Sequence, residues 1–368
     1  MIFWKQIQNF FSQDGVYLSG KNIVDDFVIR GILTKEHLSD LALNSLPAWA
    51  TKDLKERILL IQSVDYLEEI IAAFQKSDSD CSVESIIVVV NESILKLPTW
   101  DASFSILKKI SSIKNILKHP HVSQLKCTIS KYFYDAIYQE IPWHLDGRQD
   151  GTAVIHPTAK VSQQVFIGAH ARIGEGVFIF PGAVIGPYCV IEKASVIYPN
   201  VTIYPFSKLG AYVRVHGGAV IGSDGFGYEF NGKQHEKIWH FGGVYIEDFV
   251  EIGANSCIDS GTFYPTVIKS GVKIDNQVQI AHNTLVEEHV VLCGQSGTAG
   301  SSKIGAYTVM GGRAALGPQC ELGKQCQIAG NAMITKSWPD KSILGGHPAR
   351  PLDEWMRGVA YLKKLIKK

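Results

Sequence analysis

The stretch Lys273-Ile274-Asp275-Asn276-Gln277-Val278-Gln279-Ile280-Ala281-His282-Asn283 is the part of the 368-residue chain richest in hydrogen-bonding side chains. Its single histidine, His282, is the residue type that exchanges a proton near neutral pH, which makes it a candidate general base. Such a base serves acyl transfer when an exposed backbone N–H lies beside it to hold the charge of a tetrahedral intermediate. Taken alone, a histidine is more often a surface or interface residue, and the other eleven are read that way. Zinc is the rival chemistry. His289 stands seven residues from His282 and no third histidine stacks with either, so no metal site is expected. A second segment, Gly222 to Val244, carries Phe226, Tyr228, Phe230, Trp239 and Phe241 among Lys233, His235, Lys237 and His240. Rings interleaved with cations can stack on a sugar or base and neutralise phosphate, or they can pad a subunit interface.

The elements that position these residues are written as a six-residue repeat. Ile155, Val161, Ile167, Ile173, Ile179, Ile185, Ile191, Ile197, Ile203, Leu209, Val215 and Ile221 are twelve aliphatic residues in step. The series resumes with Ile246, Ile252 and Ile258, then runs again as Ile268, Ile274, Ile280, Val286, Leu292, Thr298, Ile304, Met310, Leu316, Leu322, Ile328 and Ile334. Only Thr298 departs from the aliphatic rule. Neither a helix nor an ordinary strand produces this spacing, and self-similarity at a fixed period marks a solenoid. The expected fold is mainly β: a left-handed parallel β-helix of about nine coils, three short strands to a coil, with the aliphatic slots facing inward. Ten slots are followed directly by glycine (residues 168, 174, 186, 210, 222, 253, 305, 311, 317 and 323), read as corners that need positive φ.

The repeat turns spacing into a contact. His282 lies two residues past slot 280; three slots later the same position is Gly300, and three slots earlier it is Ser260. Gly300 is therefore expected about 5 Å from His282, one strand spacing away. That supplies the backbone donor a base needs.

Residues 151–336 form the expected β-helix domain. Residues 1–150 read as an N-terminal α/β domain capping one end, with a helix over Thr51 to Lys76 and a buried strand at Ile86–Val90. Residues 337–368 read as a connector containing Pro348 and Pro351, followed by a helix from Leu352 to Lys367. From Lys336 onward there are eight Lys or Arg against three Asp or Glu, a net of +5, which leaves −4 for the rest of a chain whose total is +1. That balance gives no case for nucleic acid, but a basic tail suits an acidic partner. No signal peptide or transmembrane segment is evident, and the seven scattered cysteines lack a CxxC pair, so a cytoplasmic location is expected.

The segments IGSDGFGYEF (Ile221–Phe230), VEIGANSCIDSGT (Val250–Thr262) and VKIDNQVQIAHN (Val272–Asn283), set in the hexapeptide column, resemble the UDP-3-O-(3-hydroxyacyl)glucosamine N-acyltransferase family of lipid A biosynthesis. The resemblance runs from about His156 to Arg357. It implies transfer of a 3-hydroxyacyl chain from acyl carrier protein to the 2-amine of UDP-3-O-acyl-glucosamine by a homotrimer. No cofactor is implied beyond the phosphopantetheine of the carrier. It makes His282 the general base and the Gly300 N–H the oxyanion donor. Asn276 and Gln279 would line the glucosamine end of the cleft, and Met333 would close the acyl groove. The carrier protein would dock on the C-terminal part, where the basic tail lies. Two features depart from the family: Gln319 stands where a second active-site histidine is usual, and the uracil-binding stretch of the type SFxxNPKY expected within residues 1–150 is not visible. An acetyl-CoA-dependent N-acetyltransferase acting on another nucleotide-linked amino sugar, and an inactive trimeric scaffold, are the competing readings.

Overall fold

The computed structural model describes residues 2–3, 16–20, 28–29, 31–33, 57–61, 86–91, 113–119, 121–139, 151–346 and 352–366. From Val154 onward the chain winds into a parallel β-helix whose three faces carry nine, nine and ten strands. Most strands are two residues long, and each pairs in parallel with the strand one coil away; Gln279–Ile280, for example, pairs with Gly297–Thr298. All 27 slots of the repeat fall on strands, and Ile343–Leu344 adds one more beyond the series, pairing with Gln327–Ile328.

The interior is a column of Ile, Val and Leu running from Val165 to Ile334, nearly all fully buried. A second inward position, two residues before each slot, takes small residues. Ala183, Cys189, Ser195, Val201 and Ser207 are five in succession, all buried. Large and small side chains thus alternate within each coil. Cys189, Cys320 and Cys326 sit at this position as buried free thiols, which accounts for part of the cysteine scatter.

The corners differ from expectation. Of the ten glycines that follow slots, only Gly222 has positive φ. The left-handed residue is instead the third after the slot, and it is rarely glycine: His170, Tyr188, Asn200, Phe206, Gln277, Asn283 and Gln319 all adopt it. Their N–H groups bond the neighbouring coil, as from Tyr188 to Ala169 O at 2.9 Å, and their side chains stack between coils, as Tyr212 does on Phe249 at 5.0 Å. These contacts offset a conformation that a non-glycine residue otherwise avoids. The glycine after the slot answers to close approach. A Cβ at Gly305 would lie 2.5 Å from the carbonyl carbon of Gly323 in the next coil.

The N-terminal part holds a five-stranded sheet in the order 16–20, 113–119, 86–91, 57–61, 31–33. Its three neighbouring pairs from 113–119 to 31–33 are parallel, and Val16–Gly20 joins antiparallel. The strand expected at Ile86–Val90 is present as Ile86–Asn91. The helix expected over Thr51 to Lys76 is corrected: Arg57–Ile61 is a strand at its centre, and the rest of that stretch lies outside the described residues. An uninterrupted Ile-Leu-Leu-Ile run suits a strand covered on both faces as well as it suits a buried helix.

Helix α1 (Val122–Gln139) joins this sheet to the solenoid. Val122, Leu125, Ile129 and Phe133 pack in one cluster with Leu60 and Val89 from the sheet and Phe241 and Phe263 from the solenoid. Helix α2 (Leu352–Ile366) forms at the C-terminal segment with Lys363 and Lys364 in its last turn, where cations suit the helix dipole. Pro348 and Pro351 lie outside the described residues, as does most of the region expected to hold uridine. Among the described residues, no helix is long and apolar enough to cross a membrane.

Candidate active site

His282 sits at a corner of the face that carries Gln279–Ile280. The register fixes its neighbour. Because Ile280 pairs with Thr298, the second residue after each meets across one coil, and a Cβ on Gly300 would lie 2.5 Å from His282 Nε2. Only glycine lets that backbone approach the ring so closely. The Gly300 N–H donates to no acceptor among the described residues, whereas its carbonyl accepts from Gln319 N at 3.1 Å.

The tautomer of His282 follows from Asn283. Asn283 Oδ1 accepts the Thr262 backbone N–H at 3.1 Å and the Thr262 hydroxyl at 2.8 Å, while Nδ2 donates to Tyr264 O at 3.0 Å. A backbone N–H can only donate and a carbonyl can only accept, so the amide has one orientation. His282 Nδ1, 3.1 Å from Asn283 Oδ1, must then carry the proton. Nε2 is left with its lone pair beside Gly300. Burial lowers the His282 pKa below the ordinary imidazole value, Lys126 adds to the effect, and the Asn283 bond opposes it. Burial therefore favours the neutral ring, with its lone pair at Nε2.

Two threonines hold the amides on either side. In most coils the residue after a slot donates its N–H to a slot carbonyl one coil on, as Asp275 does to Leu292 O. Ala281 instead donates to the Thr298 hydroxyl at 3.2 Å, and Asn283 donates to the Thr266 hydroxyl at 2.9 Å. This accounts for Thr298 as the one polar slot: its hydroxyl, buried with Thr284 Oγ1 at 3.2 Å, anchors the backbone next to His282.

The aromatic insertion closes over the ring. Its strands Tyr228–Phe230 and His235–Lys237 form an antiparallel hairpin gripped by α1 through Trp239 N to Ser130 Oγ at 3.1 Å and Tyr134 against Trp239 at 4.6 Å. Asp224 pairs with Lys237 at 2.6 Å, and Gly225 follows directly in contact with His282. His240, from the same insertion, packs edge-on against His282 with ring centroids 5.0 Å apart. Asp259, in the coil before Gln279, is buried, and burial lifts its carboxyl to about 6 although a Gln279 hydrogen bond pulls it down. Reading the residues one by one gave no role to Asn283, Thr262 or Asp259 and placed His240 only among the cations of the insertion; the odd Thr298 in the slot series was the one signal pointing at this layer.

The other expected site residues divide. Gln279, Gly297, Ala315 and Met333 are paired in register along one face. Two small residues thus separate a glutamine from an exposed methionine over three strand spacings, roughly 14 Å. Asn276 is not brought to His282: it stands at the opposite corner of that face, with its Oδ1 accepting from Ala254 N at 2.7 Å. Gln319 is exposed in the left-handed corner directly after the Gly300 coil. Among the described residues, no cluster of three His, Cys, Asp or Glu could hold a metal ion.

The bacterial transferase hexapeptide model (six repeats) matches residues 188–223 of the solenoid. A UDP-3-O-acylglucosamine N-acyltransferase from Helicobacter hepaticus is 46% identical over 210 residues, covering 57% of this chain and 64% of the relative. One of the same name from Wolinella succinogenes is 43% identical over 173 residues, covering 47% of this chain and 54% of the relative. The chain thus spans between about half and two thirds of these relatives' lengths. Over that span the β-helix is similar to proteins named UDP-3-O-acylglucosamine N-acyltransferase.

Proposed function

We propose that the protein transfers a 3-hydroxyacyl group from the phosphopantetheine thioester of acyl carrier protein to the 2-amine of a UDP-linked 3-O-acylglucosamine, as a cytoplasmic homotrimer. The observation that carries this reading is the Nε2 lone pair of His282 set against the unpartnered N–H of Gly300. In the reaction His282 Nε2 takes a proton as the amine attacks the thioester carbonyl, so a C–N bond forms and an oxyanion develops. The Gly300 N–H donates to that oxyanion. Collapse breaks the C–S bond, and the departing thiolate takes the proton back from His282. His282 ends neutral and ready for the next cycle.

The small residues Gly297 and Ala315 in register between Gln279 and Met333 support a long acyl chain rather than acetyl, with Met333 as its stop. Asn276, at the far corner, takes its expected part in sugar binding only across a wide cleft. The net of +5 from Lys336 onward supports an acidic carrier protein as donor. Exposed Phe180, Tyr188, Tyr204 and Tyr212 on the outer faces suit a trimer interface.

The test supplies one acceptor, UDP-3-O-(3-hydroxyacyl)glucosamine, with either 3-hydroxyacyl carrier protein or acetyl-CoA. Turnover with the carrier protein alone is expected. Turnover with acetyl-CoA alone would overturn the reading, and turnover with neither would make the solenoid a scaffold.

A further inference from the structure

His240 has no part in the proton transfer above, yet its chemistry is unusual. It is 1% exposed, and neither Nδ1 nor Nε2 reaches a hydrogen-bond partner. An imidazole always carries at least one N–H, so a donor is left buried and unused. Such a group weakens a fold, and an apolar ring would fill the same space at lower cost.

Its position points to what the ring bonds. His240 packs against His282, and its Nε2 is directed at Gly225 and Gly227 of the Asp224–Tyr228 segment. A Cβ on Gly225 would meet His240 Nε2 at 2.7 Å and His282 Cβ at 2.6 Å; one on Gly227 would meet His240 Cε1 at 2.9 Å. Gly225 and Gly227 thus lay a strip of side-chain-free backbone against His240 Nε2. The charged groups around it are Lys126 from α1 and Lys237 from the hairpin, the latter paired with Asp224. Burial, helped by His282 and these lysines and opposed by the Ile238 backbone, holds the His240 pKa at about 3, so the ring stays neutral.

We infer that His240 is a recognition residue for the acceptor sugar: its N–H bonds an oxygen substituent on the carbon next to the reacting amine once the Gly225–Gly227 strip lifts. The inference rests on the acyl-transfer reading of His282. A sugar whose amine is held at His282 Nε2 carries its vicinal oxygen toward the neighbouring ring 5.0 Å away. A neutral N–H suits an ester or hydroxyl oxygen there, where a cation would select phosphate.

The experiment titrates UDP-3-O-(3-hydroxyacyl)glucosamine into the full-length protein by calorimetry and measures steady-state kinetics with 3-hydroxyacyl carrier protein. His240→Phe is expected to weaken acceptor binding and raise acceptor KM about tenfold, with kcat and donor KM within about twofold. His240→Asn, which keeps an N–H, is expected to recover binding to within about threefold of wild type. If His240→Phe does not fold, His240→Leu gives the same apolar comparison with His240→Asn. Wild-type acceptor affinity in the apolar variant, or an asparagine variant no better than the apolar one, overturns the inference. Wild type that binds the acceptor but turns over with no donor removes the acyl-transfer reading and leaves the binding comparison intact. Wild type that turns over while His240→Phe matches it removes the inference alone.

Discussion

The coils from Ile155 to Ile221 and those around His282 are built from the same hexad, and the difference between them lies in where the backbone N–H groups go. In the first run the amide after a slot bonds a carbonyl of the next coil: Gly168 to Ile185, Gly174 to Ile191, Gly186 to Ile203. Around His282 the amides of Ala281 and Asn283 turn to threonine hydroxyls instead. The regular ladder makes a rigid column of interchangeable corners. Replacing two of its bonds with side-chain acceptors makes one corner individual, with a ring whose tautomer, plane and neighbour are all set. The insertion adds the cover that ordinary corners lack.

That contrast can be broken from either side. In the regular coils, Gly305→Val forces a side chain into the Gly323 backbone and is expected to cost about 3 kcal/mol, read by chemical denaturation. If the loss is below about 1 kcal/mol, close approach is not why the glycine is there. In the individual corner, Asn283→Ala removes the acceptor that holds the proton on His282 Nδ1. It is expected to lower kcat about a hundredfold, near 2.7 kcal/mol of barrier, with acceptor KM little changed. A smaller effect is expected from Thr298→Val, which keeps the shape of the slot but orphans the Ala281 N–H: about 1 kcal/mol of stability, checked by urea unfolding.

The smallest effect concerns pH. His240 stays neutral when folded, with a pKa of about 3, while in the unfolded chain it titrates at the ordinary imidazole value of about 6.5. The unfolded state therefore binds more protons between these values, and stability falls as pH drops from about 6.5 toward 3. Between pH 7 and pH 6 the loss is roughly half to one kcal/mol, and His240→Phe is expected to flatten that part of the profile. An unchanged slope would show that the ring is not the buried neutral group described here.

The hexads were legible because every coil repeats the same demand for an aliphatic side chain in a narrow prism, and chance does not sustain that over 27 slots. Counting in sixes also set Gly300 next to His282, since parallel pairing leaves no freedom in register. The corners were not legible. Their left-handed positions are filled by His, Tyr, Phe, Asn and Gln, held by intercoil bonds and stacking that no single hexad reveals, so glycine was given the wrong reason for its place. Arg57–Ile61 was hidden because its apolar run suits two elements equally. Asn283 and Thr298 were visible as residues but not as partners: their hydroxyl and amide contacts join segments 17 and 21 residues apart. His240 was visible in the insertion but not as the neighbour of His282, because the insertion lies outside the repeat, where no count reaches.

The measurement that bears most directly on the central claim is the rate of His282→Ala with 3-hydroxyacyl carrier protein and UDP-3-O-acyl-glucosamine, alongside its unfolding curve. A fall in kcat of about a thousandfold with an unchanged unfolding midpoint is the expected result. A folded His282→Ala that keeps wild-type turnover would contradict the assignment of the base.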